Sequence, residues 1–152
     1  LRFYRQDEDI LRFWLWDEWP TYGTYALARL GHNHLQECMA APNDPRNTQL
    51  TRRMFSAALG RMSVIYPDIR QPILDNFRLL LRNEQDPDLL SSVVVDLLDC
   101  YGKELEADIH AAYDDGRVAE EFLPRHEVEF MPKDLEKPPW DFFALYAQLR
   151  RY

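Results

Sequence analysis

Shifted by 36 positions, the chain matches itself. Ser56 meets Ser92, Leu59 meets Val95 and Met62 meets Leu98; then, without a gap, Ile69 meets Leu105, Ile73 meets Ile109 and Phe77 meets Tyr113. Apolar falls on apolar across two stripes and the turn between them, so more than one coincident helix is involved. An earlier unit fits with a one-residue slip at its turn. Leu27 and Leu30 reach Met62 and Ile65 at an offset of 35, while Leu35 and Met39 reach Ile69 and Ile73 at 34. One amphipathic helix pair cannot bury its apolar side alone, but stacked pairs share a continuous core. The period therefore predicts an all-α chain of stacked antiparallel helix pairs.

The punctuation is helical too. Asp86-Pro87 reads as an N-cap followed by Pro at the first helical position, where its missing N–H costs nothing. Leu89, Leu90, Val93, Val94, Leu97, Leu98 and Tyr101 follow at three- and four-residue spacing, and Val95 widens that stripe. This helix is expected to be central and to end at Gly102. Leu105, Ile109, Ala112 and Tyr113 mark the next, with Gly116 as a left-handed C-cap. Before them, Leu50, Met54, Ala57, Ala58, Met62 and Ile65 form one stripe; Ile69, Ile73, Leu74, Phe77, Leu80 and Leu81 form another. Asp68 is the expected N-cap of the second, and Pro72 fits only near its first turn. Tyr25, Leu27 and Leu30, then Leu35, Cys38 and Met39, are shorter sets, and Asn33 and Gln36 between them have capping-box spacing.

About three pairs thus occupy residues 21–121 of a single 1–152 helical-repeat domain. Residues 1–20 contain an aromatic helix over 10–19, with Phe13, Trp14, Trp16 and Trp19, expected to stop before Pro20. Residues 122–152 read as an irregular connection followed by a final helix carrying Phe142, Phe143, Leu145, Tyr146 and Leu149. Glu127-Val128-Glu129-Phe130-Met131 alternates, but Pro124 and Pro132 bound it too closely for a good strand.

These helix pairs resemble HEAT-type repeats. Leu97-Leu98-Asp99-Cys100-Tyr101, continued by Ile109-His110-Ala111-Ala112-Tyr113-Asp114-Asp115-Gly116-Arg117-Val118, is similar to the repeat end of a family of uncharacterised bacterial HEAT-like proteins. In that family a helix ends in a Tyr/Phe-acidic-acidic-Gly turn followed by Val. The resemblance covers roughly residues 21–120 and implies an α-α superhelix that binds proteins on its concave or edge surface. Some relatives carry a Cys-rich metal module, for which this chain has no Cys cluster.

Charge narrows the partners. The formal net charge is −8, but it is unevenly spread. Residues 21–82 hold eight Arg and four acids, whereas residues 83–121 hold two basic residues and twelve acids. The acidic unit favours a basic protein partner, since charge complementarity governs encounter. A phosphate-binding stripe of Arg46, Arg52, Arg53 and Arg61 is conceivable beside it, but the acidic neighbour would repel a duplex, so nucleic acid is not expected. The aromatic N-terminal helix offers a surface for self-association. No apolar run reaches the length of a membrane span and no secretory signal is visible, which makes the cytoplasm the default location. A chain opening on Leu1 rather than Met is expected to be trimmed or excised from something longer.

Candidate chemistry is sparse. His34 and Cys38 lie i,i+4, a spacing able to present two metal ligands, but no second pair completes the four of a structural zinc site. His110 and His126 stand alone. Asp114-Asp115-Gly116 suggests a calcium loop, but its twelfth position is Arg125 rather than Glu. Asp96 and Asp99 could do acid–base work but are expected on a solvated face. None of Ser56, Ser63, Ser91 and Ser92 sits in a nucleophile elbow. Cys100 reads as a packed small hydrophobe, and one Cys38–Cys100 bridge stays open. No catalytic, cofactor or metal residue is assigned. The expected function is a non-catalytic protein-interaction or scaffold module; the alternative is an enzyme of lyase or nucleic-acid-repair type on the same fold.

Overall fold

The computed structural model describes the backbone of residues 19–100 and 102–128, and the side chains of 23–100 and 102–128. The described residues are all-helical, with no strand. Helix α1 is Trp19–Leu30, α2 is Leu35–Asn43, α3 is Gln49–Ile65, α4 is Arg70–Asn83, α5 is Pro87–Asp99 and α6 is Glu106–Asp114. Alternate helices pack side by side: α1 on α3 and α3 on α5, α2 on α4 and α4 on α6.

The period in the sequence reappears as backbone geometry. A 3₁₀ turn precedes each second helix, at Gly31–His34, Pro67–Ile69 and Lys103–Leu105. The last two turns lie 36 residues apart, as do the starts of α4 and α6 at Arg70 and Glu106. The first turn has four residues rather than three, which is the one-residue slip. A 3₁₀ turn advances the chain farther per residue than an α-turn does, so it changes direction between paired helices within a few residues.

Local signals act where the chemistry is strong. The Asp86 carboxylate accepts from the N–H groups of Asp88 and Leu89, with Pro87 opening α5. Pro72 is the third residue of α4, inside the first turn. Gly116 has φ +66°; its N–H donates to the Tyr113 carbonyl, and that of Arg117 to the Ala112 carbonyl. A Cβ at Gly116 would meet nothing within 4 Å, so the position asks for glycine through backbone conformation alone. Gly116→Ala is therefore expected to cost about 1 kcal/mol in chemical unfolding, with Gly116→Asn costing less.

The weaker capping expectations are corrected. Asp68 caps nothing: the 3₁₀ turn intervenes and α4 starts after Ile69, with no side-chain cap. Asn33 likewise sits inside a 3₁₀ turn, and His34 precedes α2 without a side-chain cap. Trp19 and Pro20 open α1, and the helix expected over residues 10–18 lies outside the described residues. Of the expected apolar set, Leu27 is buried but Leu30 is 72% exposed, and Ala28 is buried beside Leu27. Tyr101, the rest of the aromatic N-terminal helix, residues 129–131 of the alternating stretch, the later part of the 122–152 connection and the final helix lie outside the described residues.

The centre of the core is α3 rather than α5. Phe55, Ala58, Leu59 and Met62 are essentially fully buried, and so are Ser56 and Ser63. Packing against α1 and α5 together hides faces that the hydrophobic stripe leaves out. Small residues permit the approach: a Cβ on Gly60 would stand 3.4 Å from the Asp96 carbonyl oxygen. Phe77, Ile73 and Leu81 of α4 and Leu89, Val93 and Leu97 of α5 complete the core.

Polar links join each unit to the next. Arg52 pairs with Glu84 and donates to the Pro42 carbonyl at 2.7 Å. Arg70 forks onto Glu104 at 3.0 and 3.1 Å, and Arg78 and Arg82 share Asp108. Arg117 reaches back to the Leu81 carbonyl at 2.6 Å. The arginines of the second pair, α3 and α4, thus face carboxylates that lie later in the chain, Glu84, Glu104 and Asp108.

Candidate functional site

An open groove of about 310 Å³ runs between α3 and α5. Thr24 of α1, Arg53 and Arg61 of α3, and Ser92 and Asp96 of α5 supply its polar lining; Leu50, Met54, Ala57, Val95 and Phe122 supply the apolar part. Helical spacing places the arginines there. Positions 50, 53, 54, 57 and 61 share one face of α3, and 92, 95 and 96 share the facing side of α5. Phe122, 63% exposed, arrives from the chain after α6.

Asp96 is the main correction to the sequence reading. It is half-buried on the wall of the groove rather than on a fully solvated face, and Ser56 Oγ donates to its Oδ2 at 2.7 Å. Loss of water around the carboxyl raises its pKa to about 7; the Ser56 hydrogen bond and the Arg61 charge pull the other way without cancelling that cost. Asp99 is exposed, and its pKa is raised more modestly, by partial burial.

The two arginines are held differently. Arg53 donates from Nε to Ser92 Oγ at 2.7 Å and from Nη2 to the Asp88 carbonyl at 3.2 Å. Arg61 lies over the Tyr25 ring, 4.8 Å from its centroid, a cation–π distance, and donates from Nη1 to the Ala57 carbonyl at 3.2 Å. Its Nε is buried and has no hydrogen-bond partner. A buried donor left unmade costs about 1–3 kcal/mol. Arginine's five N–H donors on a rigid plane suit a carboxylate or similar group.

The proposed basic stripe does not form. Arg52 is 9% exposed and engaged with Glu84, and Arg46 pairs with Asp44 beside it at 2.9 Å; Arg53 and Arg61 alone of the four reach the groove. His34 and Cys38 do not converge. His34 pairs with Glu37 at 3.2 Å on the surface, while Cys38 is fully buried and donates weakly to the Gly31 carbonyl. No cluster of three metal-binding side chains occurs among the described residues. Asp114 pairs with Arg125 and Asp115 with Arg117, which accounts for the acidic turn without calcium.

Cys38 and Cys100 are both free and buried. Burial pushes each thiol up to about 11, so little thiolate exists at neutral pH. Iodoacetamide is accordingly expected to label neither at a free-cysteine rate in the native protein, and both on unfolding; mass spectrometry of trapped samples reads this directly. Native labelling at the rate of free cysteine would show the burial to be wrong.

No family model, no curated protein and no solved structure matches this chain. Among the described residues, no helix is long and apolar enough to cross a membrane.

Proposed function

We propose that the chain is a non-catalytic protein-interaction module, built as a short HEAT-like α-α superhelix of about three helix pairs. The observation that carries this reading is the alternate-helix packing combined with equally spaced 3₁₀ turns: the third pair repeats the second in turn position, and each of its helices packs on the corresponding helix of the second. Repeats of this kind expose extended ridged surfaces while a shared core holds them rigid.

The acidic third unit supports a basic partner on a narrower footing than its twelve acids suggest. Glu84, Glu104 and Asp108 face arginines within the molecule, and Asp86 caps α5. Asp88, Asp99, Glu120 and Glu121 remain exposed with no ion pair among the described residues. They are the carboxylates left for a basic partner.

An arginine-rich peptide titrated into the isotope-labelled full chain tests this. Amide shifts concentrated at Asp88, Asp99, Glu120 and Glu121, weakening with salt and lost when these positions are changed to Lys, are the expected result. Binding indifferent to both changes, or no binding at low salt, would overturn the basic-partner reading. An enzyme on the same fold is the competing reading, and it is favoured by Asp96, whose carboxyl near 7 is matched to proton transfer at neutral pH.

A further inference from the structure

The carboxylates left for a basic partner lie beside the groove between α3 and α5. On α5, positions 88, 92, 95, 96 and 99 share one helical face, and Ser92, Val95 and Asp96 of that face line the groove. Asp88 and Asp99, both exposed, therefore flank it at either end. Arg53 of the groove reaches the Asp88 carbonyl, and the charge of Arg61, at the other end of the α3 lining, acts on the Asp99 carboxyl. From Asp88 to Asp99 the face runs about 16 Å along the helix axis. Glu120 and Glu121, exposed as well, immediately precede Phe122.

Between the charged ends the surface is apolar. Leu50, Ala57 and Val95 are half-buried there, and the Phe122 ring lines the groove while 63% exposed. Covering such a strip removes apolar surface from water. The guanidiniums inside do not reverse the sign of the site. Arg53 is turned to Ser92 Oγ and the Asp88 carbonyl, and Arg61 to the Ala57 carbonyl and the Tyr25 ring. The four exposed carboxylates outnumber them whether Asp96 is ionised or protonated.

The shape selects the form of the partner. No strand occurs among the described residues, so no sheet edge is offered to an extended segment. A trough between two helices instead takes a third helix by its apolar face, through side chains at i, i+3 or i+4 and i+7.

We infer that the groove between α3 and α5 is the docking site for a basic amphipathic helix of a partner protein, about three turns long, its apolar stripe on Val95, Ala57 and Phe122 and its basic residues at the Asp88 and Asp99 ends. This rests on the basic-partner reading and adds to it an apolar anchor and a helical form. The carboxylates then set encounter and orientation, and the apolar strip supplies the affinity that salt does not screen.

The test is an NMR titration of the isotope-labelled full chain with three synthetic peptides of about 14 residues, a length at which an isolated helix is marginal in water. The first carries leucines at i, i+4 and i+7 with two arginines at each end. The second has glutamine for every leucine, and the third glutamate for every arginine. The expected result is saturable binding of the first, with shifts at Ala57, Val95 and Phe122 as well as Asp88 and Asp99, and a gain of peptide helicity by circular dichroism. The second and third should each bind at least tenfold more weakly. Phe122→Ser, at an exposed position, should weaken the leucine peptide about fivefold and leave the glutamine peptide unchanged; Asp99→Asn should weaken both. Equal binding of the leucine and glutamine peptides, binding without a gain in helix, or a Phe122→Ser affinity equal to wild type would overturn the inference while the basic-partner reading stands. Equal binding of the glutamate peptide, or no binding of any peptide at low salt, would overturn both.

Discussion

Arg52→Ala is expected to lower the unfolding free energy by about 3–5 kcal/mol, the range for breaking a buried ion pair from one side. Arg52 and Glu84 side chains are 10% and 15% exposed, so salt screens them little. Arg52 also satisfies the Pro42 carbonyl, while Glu84 accepts from the N–H groups of Gln85 and Asp86, both at 2.9 Å. Removing the guanidinium strands the carboxylate and the carbonyl together. Arg52→Met combined with Glu84→Gln should recover most of the loss, because no uncompensated charge then remains. Urea unfolding of the three proteins measures this, and an Arg52→Ala loss below about 1 kcal/mol would show that the pair behaves as a surface bridge.

That pair also has a pH signature. Burial pushes the Glu84 carboxyl up, but the Asp86 N–H, the Arg52 guanidinium and the Gln85 N–H outweigh it and hold the pKa below 4.5. A group lowered on folding contributes stability above its unfolded pKa and loses it as pH falls through the folded value. The difference between wild type and Arg52→Ala should therefore shrink in acid.

Asp96→Asn should do the reverse. Its carboxyl rises from 3.8 to about 7 on folding, chiefly through burial, so the acid form is the one the fold prefers. A raised group contributes its stability below the unfolded pKa and loses it as pH climbs through the folded one. The wild type thus gives up stability between about pH 4 and pH 7, which Asn cannot do. A rise of about three pK units corresponds to roughly 4 kcal/mol; allowing for the groove's access to water, the variant should be about 2–3 kcal/mol more stable at pH 8 and nearly equal to wild type at pH 4. Asn can still accept the Ser56 hydrogen bond, so packing is retained. Unfolding midpoints across that range decide the matter: a difference that does not vary with pH would mean that Asp96 stays solvated.

The elements differ in how far local sequence specified them. Asp86-Pro87 and Gly116 act where a carboxylate meets free N–H groups and where a left-handed residue is needed, and both needs are local. Asp68 and Asn33 carry the same kind of signal, yet 3₁₀ turns displace them from the cap position. The stripes of α4, α5 and α6 list their buried residues well because each has one dominant buried face. Helix α3 is buried on several sides, and a single stripe misses Phe55, Leu59 and Arg52 for that reason.

The groove was less legible. Arg53 and Arg61 were visible only as part of a basic run with Arg46 and Arg52, and Asp96 only as half of a carboxylate pair with Asp99. What separates Arg53 and Arg61 from their neighbours is the helix opposite, some 40 residues later in the chain, as in the contact between Ser56 and Asp96.

By itself, the sequence determined the helical class, the 36-residue period, the strong caps and most of the core, since these follow from periodicity and from side chains bonding to nearby backbone. Only the tertiary structure decided which charges face inward, that α3 is the centre, and that Asp96 shares a groove with two guanidiniums. Desolvation and ion pairing depend on what packs against a residue from a distant part of the chain, and no local pattern encodes that.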